Sequence, residues 1–322
     1  MNKNHEIGKN KMNKSDSQQP VRVQKTDMKG LIVFNPTAGD GETDTLKAQL
    51  QEGLGEEQFD LLKLDDDMSL CTELSDALKR QSYHWVGAAG GDGTVSKVGS
   101  CLVDLELPLV IIPAGTGNAI AEALGIPEEI EKACRLPVDG GEGRRIDAIR
   151  LNGHNYFLQV GIGLEALTMQ KTTSEQKSDF GELAYLWTAA KEALDWEPQE
   201  LEVTIDGKRQ TLEASELILA NIGSVGVMDL HWGEDIKPDD GRLDVVAINA
   251  RSAGDYARVI TSLARGSQAD SDLIKIFHAY EKVLVESGKP LPIHGDGEDL
   301  EDPWPLEARL IPGALTVIVP NS

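Results

Sequence analysis

The chain has 322 residues, 40% of them hydrophobic and 26% charged, with a formal net charge of −23. That length and balance suit a globular protein of two domains, or one large one, with ample core. No apolar run reaches the roughly 18 residues of a membrane-spanning helix, since the best uncharged stretch, 107–121, is broken by Pro108, Pro113 and glycines, and the acidity argues against nucleic acid as a main partner, because phosphate backbones are bound by clustered Lys and Arg.

Residues 1–28 are expected to be a disordered basic leader. Lys3, Lys9, Lys11, Lys14, Arg22 and Lys25, with Lys29 just beyond, outnumber Glu6, Asp16 and Asp27, and no apolar core of a secretory signal accompanies them. Such a leader is attracted to an anionic membrane surface, and is equally read as a solvated tail without a role. Cys71, Cys101 and Cys134 are odd in number and form no CxxC pattern. They are expected to be reduced thiols in a cytoplasmic protein, buried as small hydrophobes.

From Lys29 the pattern alternates. The continuous apolar run 31–34 predicts a buried strand entering the loop NPTAGDG, Asn35 to Gly41. Thr43 is placed to cap a helix with Leu46, Leu50 and Leu54 on one face. Strand 59–64, helix 69–79 and strand 85–89 follow, the last leading into GGDGT (Gly90 to Thr94) and a helix with Val95, Val98 and Leu102. Strand 109–112 then leads into PAGTGN (Pro113 to Asn118) and a helix through Leu124 that stops at Gly125 and Pro127. Strands alternating with helices predict a parallel sheet, with three glycine-rich loops at its carboxyl edge, where ligands of open α/β sheets bind. The α/β domain is expected over 29–143.

After the glycine-rich linker 139–143 the strands dominate, and 144–322 is expected to be a β-rich domain whose last strand can return to the first. Asn152-Gly153 and Asp206-Gly207 each sit between two strand-like runs and predict hairpins. Further strands are expected at 217–221, 243–248, 282–286, 306–311 and 315–319, with helices at 181–194 and 253–263. Together these predict an antiparallel sheet domain.

Candidate chemistry is concentrated in the glycine loops. In GGDGT the glycines admit a bulky anion and the helix start offers free N–H groups. A carboxylate there, Asp92, makes most sense beside a Mg²⁺ that also touches phosphate. Alone, such a triplet is equally a strand-to-helix turn, and GDGE at Gly295 to Glu298 is equally an exposed hairpin turn. P-loop, HExxH and GxSxG signatures are missing from the sequence, and the GxGxxA match at Gly161 to Ala166 is read as a tight turn.

NPTAGDG, GGDGT, PAGTGN followed by AEALGIP, NIGSVG with PDDGRLDV (Asn221 to Val245) and the late GDGE occur in one order. In this wording and order the chain resembles the diacylglycerol kinase catalytic domain family, which includes bacterial soluble lipid kinases and the sphingosine and ceramide kinases. The likeness spans roughly 29–320. It implies an α/β nucleotide-binding domain, a β-sandwich domain and an active site in the cleft between them. It further implies an ATP- and Mg²⁺-dependent kinase acting on the hydroxyl of diacylglycerol or a related lipid such as a sphingoid base, in phospholipid metabolism.

The same likeness implies that Asn35, Pro36, Gly39, Gly91, Gly93, Thr94, Gly115, Thr116 and Asn118 hold ATP, and that Asp92, Glu298 and Asp147 surround the catalytic Mg²⁺. Asp296 is implied as the general base, with Asp92 open for that role, and Asp240 with the backbone of Leu243 as a structural Mg²⁺ site. The expected partners are a lipid acceptor at a membrane surface, reached peripherally from the cytoplasm, and, as one option, a second copy in a homodimer. Two rival readings stand beside it: an NAD kinase-like enzyme with a soluble acceptor, and a nucleotide-binding regulatory protein without transfer activity. Lys97 stands where the family commonly has Glu, Ala119 where it has Asp, and Glu165 where it often has Asp.

Overall fold

A computed structural model describes residues 21–22, 28–34, 43–55, 57–64, 70–115, 117–163, 197–225, 230–233, 235–268, 271–300 and 304–321. The expected helix 181–194, the whole NPTAGDG loop and the second half of the Gly161–Ala166 turn lie outside these residues.

The amino-terminal unit alternates as its sequence predicts. Strands β2 (Gly30–Phe34), β3 (Phe59–Lys63), β4 (Trp85–Gly90) and β5 (Leu109–Pro113) are interleaved with α1 (Thr43–Leu54), α2 (Leu70–Arg80) and α3 (Asp92–Leu102). They line up in the order β3-β2-β4-β5, every neighbour parallel. Every residue of β2, β4 and β5 is buried, as expected where helices cover both faces of a parallel sheet. After the short α4 (Ala119–Ala123) comes a helix the sequence reading passed over, α5 (Ile130–Asp139). Pro137 lies inside its last turns and masks the helical period, yet Ala133, Cys134 and Leu136 are buried in the core.

The cysteine expectation is corrected. Cys71 of α2 and Cys101 of α3 form a disulfide, with Cα atoms 5.1 Å apart. The two helices pack side by side and bring positions 30 apart in sequence within bridging distance. Cys134 is the free thiol among the described residues, buried as expected, and burial pushes its pKa up to about 11.

From Glu142 onward the chain is built of antiparallel strands. β6 (Glu142–Leu151) and β7 (His154–Tyr156) form the expected Asn152-Gly153 hairpin, both turn residues at positive φ. β9 (Gln199–Ile205) and β10 (Lys208–Ala214) form the Asp206-Gly207 hairpin. β8 (Gln159–Gly163), β11 (Glu216–Ala220), β12 (Leu243–Ile248), β13 (Ile274–Ala279), β15 (Ile293–Gly295) and β16 (Glu298–Leu300) make a six-stranded sheet, in the order β13-β12-β11-β8-β15-β16. Its inner face packs against β6, β9, β10, β14 (Lys282–Ser287) and β17 (Leu306–Val319). Its outer face, through Ile218, Val246 and Ile248, packs on α6 (Ala253–Ala264). Two sheets enclosing one apolar layer make the expected sandwich.

The two runs expected at 306–311 and 315–319 are one strand, β17, with an irregularity between Ile311 and Leu315 where Gly313 takes φ +57°. β17 pairs with β14 and β6 in the sandwich and, at Val317 and Leu109, runs parallel beside β5. One eleven-stranded sheet, edged by the short β1 (Val21–Arg22) on β6, therefore continues from the α/β unit into the sandwich. The boundary expected at 143 falls inside β6.

Candidate active site

β4 ends at Gly90 and α3 starts two residues later, with Gly91 as its extended cap, which carries no side chain to bond the first N–H groups. Beyond β5, Asn118 takes a left-handed conformation (φ +54°) and closes its own loop. Its amide donates to Gly115 O at 2.8 Å, and Gly115 N donates to its Oδ1 at 3.2 Å. The two loops touch backbone to backbone: a Cβ on Gly115 would lie 2.4 Å from Gly91 Cα and 2.8 Å from Gly91 N. Glycine is required there by close approach alone. The space above Gly93, by contrast, is open.

Asp92 ties the same two loops through its carboxylate, which accepts Ala119 N at 3.0 Å and Ile120 N at 2.9 Å. It thus caps α4 from outside, an arrangement that satisfies two N–H groups the short helix leaves orphaned. Burial raises its pKa, and these N–H groups oppose the rise. The N–H groups of Asn118 and of Asp92 itself also face this carboxylate and help to hold its charge.

α3 buries Val95, Val98 and Leu102. Its Gly99 lets the Phe157 ring and Leu315 come so close that a Cβ would lie 3.0 Å from each. This contact brings the β7–β8 connection of the sandwich against α3. Opposite, Asp296 and Gly297 form the two-residue turn between β15 and β16, at φ +48° and +87°. The Asp296 carboxylate points inward and is 5% exposed as a residue. It accepts Phe157 N (2.7 Å), Leu158 N (3.0 Å) and Gln159 N (3.0 Å), together with a short hydrogen bond from the Ser96 hydroxyl of α3. Burial pushes its pKa up to about 6, against the opposing pull of Ser96 and the three N–H groups.

Glu298, two residues on, is half exposed and forms an ion pair with Lys97 Nζ at 2.6 Å. Adjacent residues of α3 thus hold alternate residues of the turn, Ser96 on Asp296 and Lys97 on Glu298. Asp92 and Asp296, though both anchored at α3, belong to separate hydrogen-bond sets.

Asp147 goes elsewhere. Its buried carboxylate accepts Gly241 N at 2.8 Å and Gly313 N at 2.6 Å, and burial raises its pKa against those bonds. Its neighbours are the loop of Asp239 and Asp240. Asp240 accepts Arg242 N at 3.0 Å, while the Arg242 guanidinium lies 3.6 Å from Asp240, 3.2 Å from Asp235 and 3.1 Å from Asp244. Burial raises the Asp240 pKa and Arg242 opposes it. Arg242 is thus the cationic side chain beside Asp240. Leu243 follows as the buried first residue of β12. Asn35, Pro36, Gly39 and Thr116 lie outside the described residues.

Among the described residues, no group of three or more His, Cys, Asp or Glu could hold a metal ion. Asp92, Glu298 and Asp147 are thus not gathered around one Mg²⁺ position. What does fit is an ion that arrives with phosphates, since Mg²⁺ in such sites keeps waters and takes one or two carboxylates. Asp92 stands at the start of α3, beside the open space at Gly93. Ser96 and the three N–H groups of 157–159 escaped the sequence reading. Helical spacing from Asp92 and Gly93 could have found Ser96, which lies four and three residues further on; nothing local marks the N–H groups.

The comparisons with known proteins agree with this geometry. A family model described as the diacylglycerol kinase catalytic domain matches residues 29–151, and one described as the YegS C-terminal NAD kinase beta sandwich-like domain matches 159–319. A diacylglycerol kinase of Bacillus subtilis is 30% identical over 278 residues, covering 83% of this chain and 88% of that protein. An uncharacterised protein of Synechocystis sp. is 30% identical over 308 residues, covering 90% of this chain and 70% of that protein. A solved structure described as a diacylglycerol kinase from Bacillus anthracis shares the fold, with a TM-score of 0.68 at 21% identity over 90% of this chain and 96% of that one. The chain therefore belongs to the diacylglycerol kinase catalytic domain family of kinases.

Proposed function

We propose that the chain transfers the γ-phosphate of ATP, with Mg²⁺, to the hydroxyl of a membrane lipid, diacylglycerol or a sphingoid base. One observation carries the reading: two glycine loops locked together at the carboxyl ends of β4 and β5 leave the start of α3 open, and the same helix holds a buried carboxylate from the sandwich. Phosphoryl transfer needs positioning, charge neutralisation and a base near the attacking hydroxyl. The first N–H groups of α3, with Gly93 giving access, receive the phosphates. Asp92 would hold a Mg²⁺ brought with the nucleotide, which would supply charge neutralisation for the transfer, and by capping α4 Asp92 keeps both loops in register. Asp296 takes the acceptor proton, and its pKa of about 6 leaves it ionised yet basic enough near neutral pH.

The lipid must be met at a membrane, and no helix among the described residues is long and apolar enough to cross one. Peripheral contact through the basic leader is the proposed route. The test is labelled ATP and Mg²⁺ with vesicles carrying diacylglycerol, a sphingoid base or neither, followed by thin-layer separation of products. A labelled lipid is expected, and label confined to soluble products would sink the reading. A soluble acceptor is the second reading, favoured by the likeness of residues 159–319 to an NAD kinase-like sandwich; the same separation distinguishes the two.

A further inference from the structure

A carboxylate has about four lone-pair positions for hydrogen bonds. All four on Asp296 are taken: Oδ1 by Leu158 N and Gln159 N, Oδ2 by Phe157 N and the Ser96 hydroxyl. A base so filled offers no position to a substrate proton. Three of its donors are backbone N–H groups fixed by the start of β8, and Asp296 N returns a bond to Gln159 O at 3.1 Å. They do not leave without unmaking the turn. The fourth donor differs in kind, because a hydroxyl donates and accepts at once. Ser96 still has lone pairs while its proton rests on Asp296.

Position supports the same choice. Ser96 follows Gly93 by three residues and Asp92 by four, so the three share one face of α3. Gly93 faces open space at the helix start where the phosphates are proposed to sit. One turn of helix separates that seat from Ser96, and Asp296 lies directly beyond it. The sequence of groups is phosphate seat, hydroxyl, buried carboxylate.

We propose that Ser96 is a catalytic residue, the hydroxyl that meets the lipid's hydroxyl and passes its proton to Asp296. This rests on the kinase reading above. As the lipid oxygen forms its bond to the γ-phosphorus and the bond to the leaving nucleoside diphosphate breaks, the lipid proton moves to Ser96 Oγ and the Ser96 proton moves to Asp296 Oδ2. Asp296 returns its proton through Ser96 to water after the product leaves. Charge and protons balance, and no other reactant is needed. Lys97, the next residue on α3, steadies the arrangement by holding Glu298 of the same turn.

The experiment compares wild type, Ser96→Ala, Ser96→Cys and Ser96→Thr with Mg-ATP and diacylglycerol or a sphingoid base in phosphatidylcholine vesicles. Steady-state constants and thermal melts are recorded for each. Ser96→Ala is expected to lower kcat by about 10²-fold or more, the usual range for losing a positioned proton-transfer group. The KM for ATP should stay within about threefold, the mark of an interaction made only in the transition state. Ser96→Cys keeps the volume but donates and accepts weakly, so it should fall as Ala does and serves in its place should Ala not fold. Ser96→Thr keeps the hydroxyl and should recover kcat to within about tenfold of wild type. The relay is overturned if Ser96→Ala and Ser96→Cys retain kcat, if only KM changes, or if Ser96→Thr is as slow as Ser96→Ala. A wild type that phosphorylates neither lipid overturns the kinase reading and the relay together. An active wild type with unaffected variants overturns the relay alone.

Discussion

Replacing Asp296 with Asn keeps the shape of the side chain and removes its charge, and the structure fixes opposite signs for the consequences at low and high pH. The amide oxygen can keep two of the four donors, but the amide nitrogen must then face the Phe157 N–H or its neighbours, donor to donor. An unsatisfied buried group of this kind costs about 1 to 3 kcal/mol. Against that, the ionised wild-type group is itself a burden. Its pKa is raised from 3.8 to about 6 by burial. A folded pKa above the unfolded one means that the stabilising contribution is complete below about pH 4 and is lost as pH rises through about 6. The whole loss is worth about 3 kcal/mol, of which about 1 to 2 kcal/mol falls between pH 5 and 8. Asp296→Asn escapes it. The stability advantage of wild type over Asp296→Asn should therefore shrink by about 1 to 2 kcal/mol from pH 5 to pH 8, measured as the difference in urea unfolding curves at matched ionic strength. Lipid phosphorylation should move the other way, rising in wild type through about pH 6 as the base ionises and staying low in the variant. A stability difference that is flat over this range would refute the burial argument, whatever the activity does.

Three other outcomes follow from contacts described above. Reducing the Cys71–Cys101 bridge, or replacing either cysteine with Ser, frees a 30-residue separation; the chain-entropy estimate for such a loop is about 3 to 4 kcal/mol of lost stability. Denaturant midpoints with and without reductant measure this loss, and a non-reducing mass that shows two free thiols at 71 and 101 would remove its basis. Gly115→Ala has to push Gly91 away, since the new methyl meets that backbone at 2.4 Å; nucleotide affinity by calorimetry should fall at least about tenfold, roughly 1.4 kcal/mol, and unchanged affinity would show that the two loops do not act as one seat. Lys97→Ala breaks an ion pair between half-exposed groups, so stability should move by less than about 1 kcal/mol. Because Lys97 is held on Glu298 and not at the phosphate seat, the KM for ATP should stay within about threefold, whereas a larger rise would show that Lys97 assists the phosphates directly.

What could be read from the sequence was local. β2, β4 and β5 announce themselves as continuous apolar runs because both faces of a parallel sheet are covered, and Asn152-Gly153 and Asp206-Gly207 supply the positive φ that tight hairpins demand. α5 was hidden because Pro137 interrupts its period, although the helix accommodates that residue close to its end. The gap between the runs 306–311 and 315–319 is an irregularity within one strand, at Gly313. Anything that depended on which elements lie side by side stayed out of reach. The Cys71–Cys101 bridge needs α2 against α3, and the destination of Asp147 needs β6 against Gly241 and Gly313. The triplet GDG shows the limit well. At 91–93 it opens a helix and at 295–297 it turns a hairpin, so the same three residues do not fix one conformation.

Asp92 and Asp296 were the two carboxylates singled out, and their environments now separate their tasks. Asp92 joins two loops of one unit, and its bonds to Ala119 and Ile120 do not involve the sandwich. Asp296 reaches the α/β unit only through Ser96, and its remaining donors all come from 157–159 of the sandwich. The packing of the β7–β8 connection on α3, where Gly99 admits the Phe157 ring and Leu315, therefore does two things: it brings the Ser96 hydroxyl onto Asp296, and by burying the carboxylate it raises its pKa to about 6 and so sets the basicity of the pair.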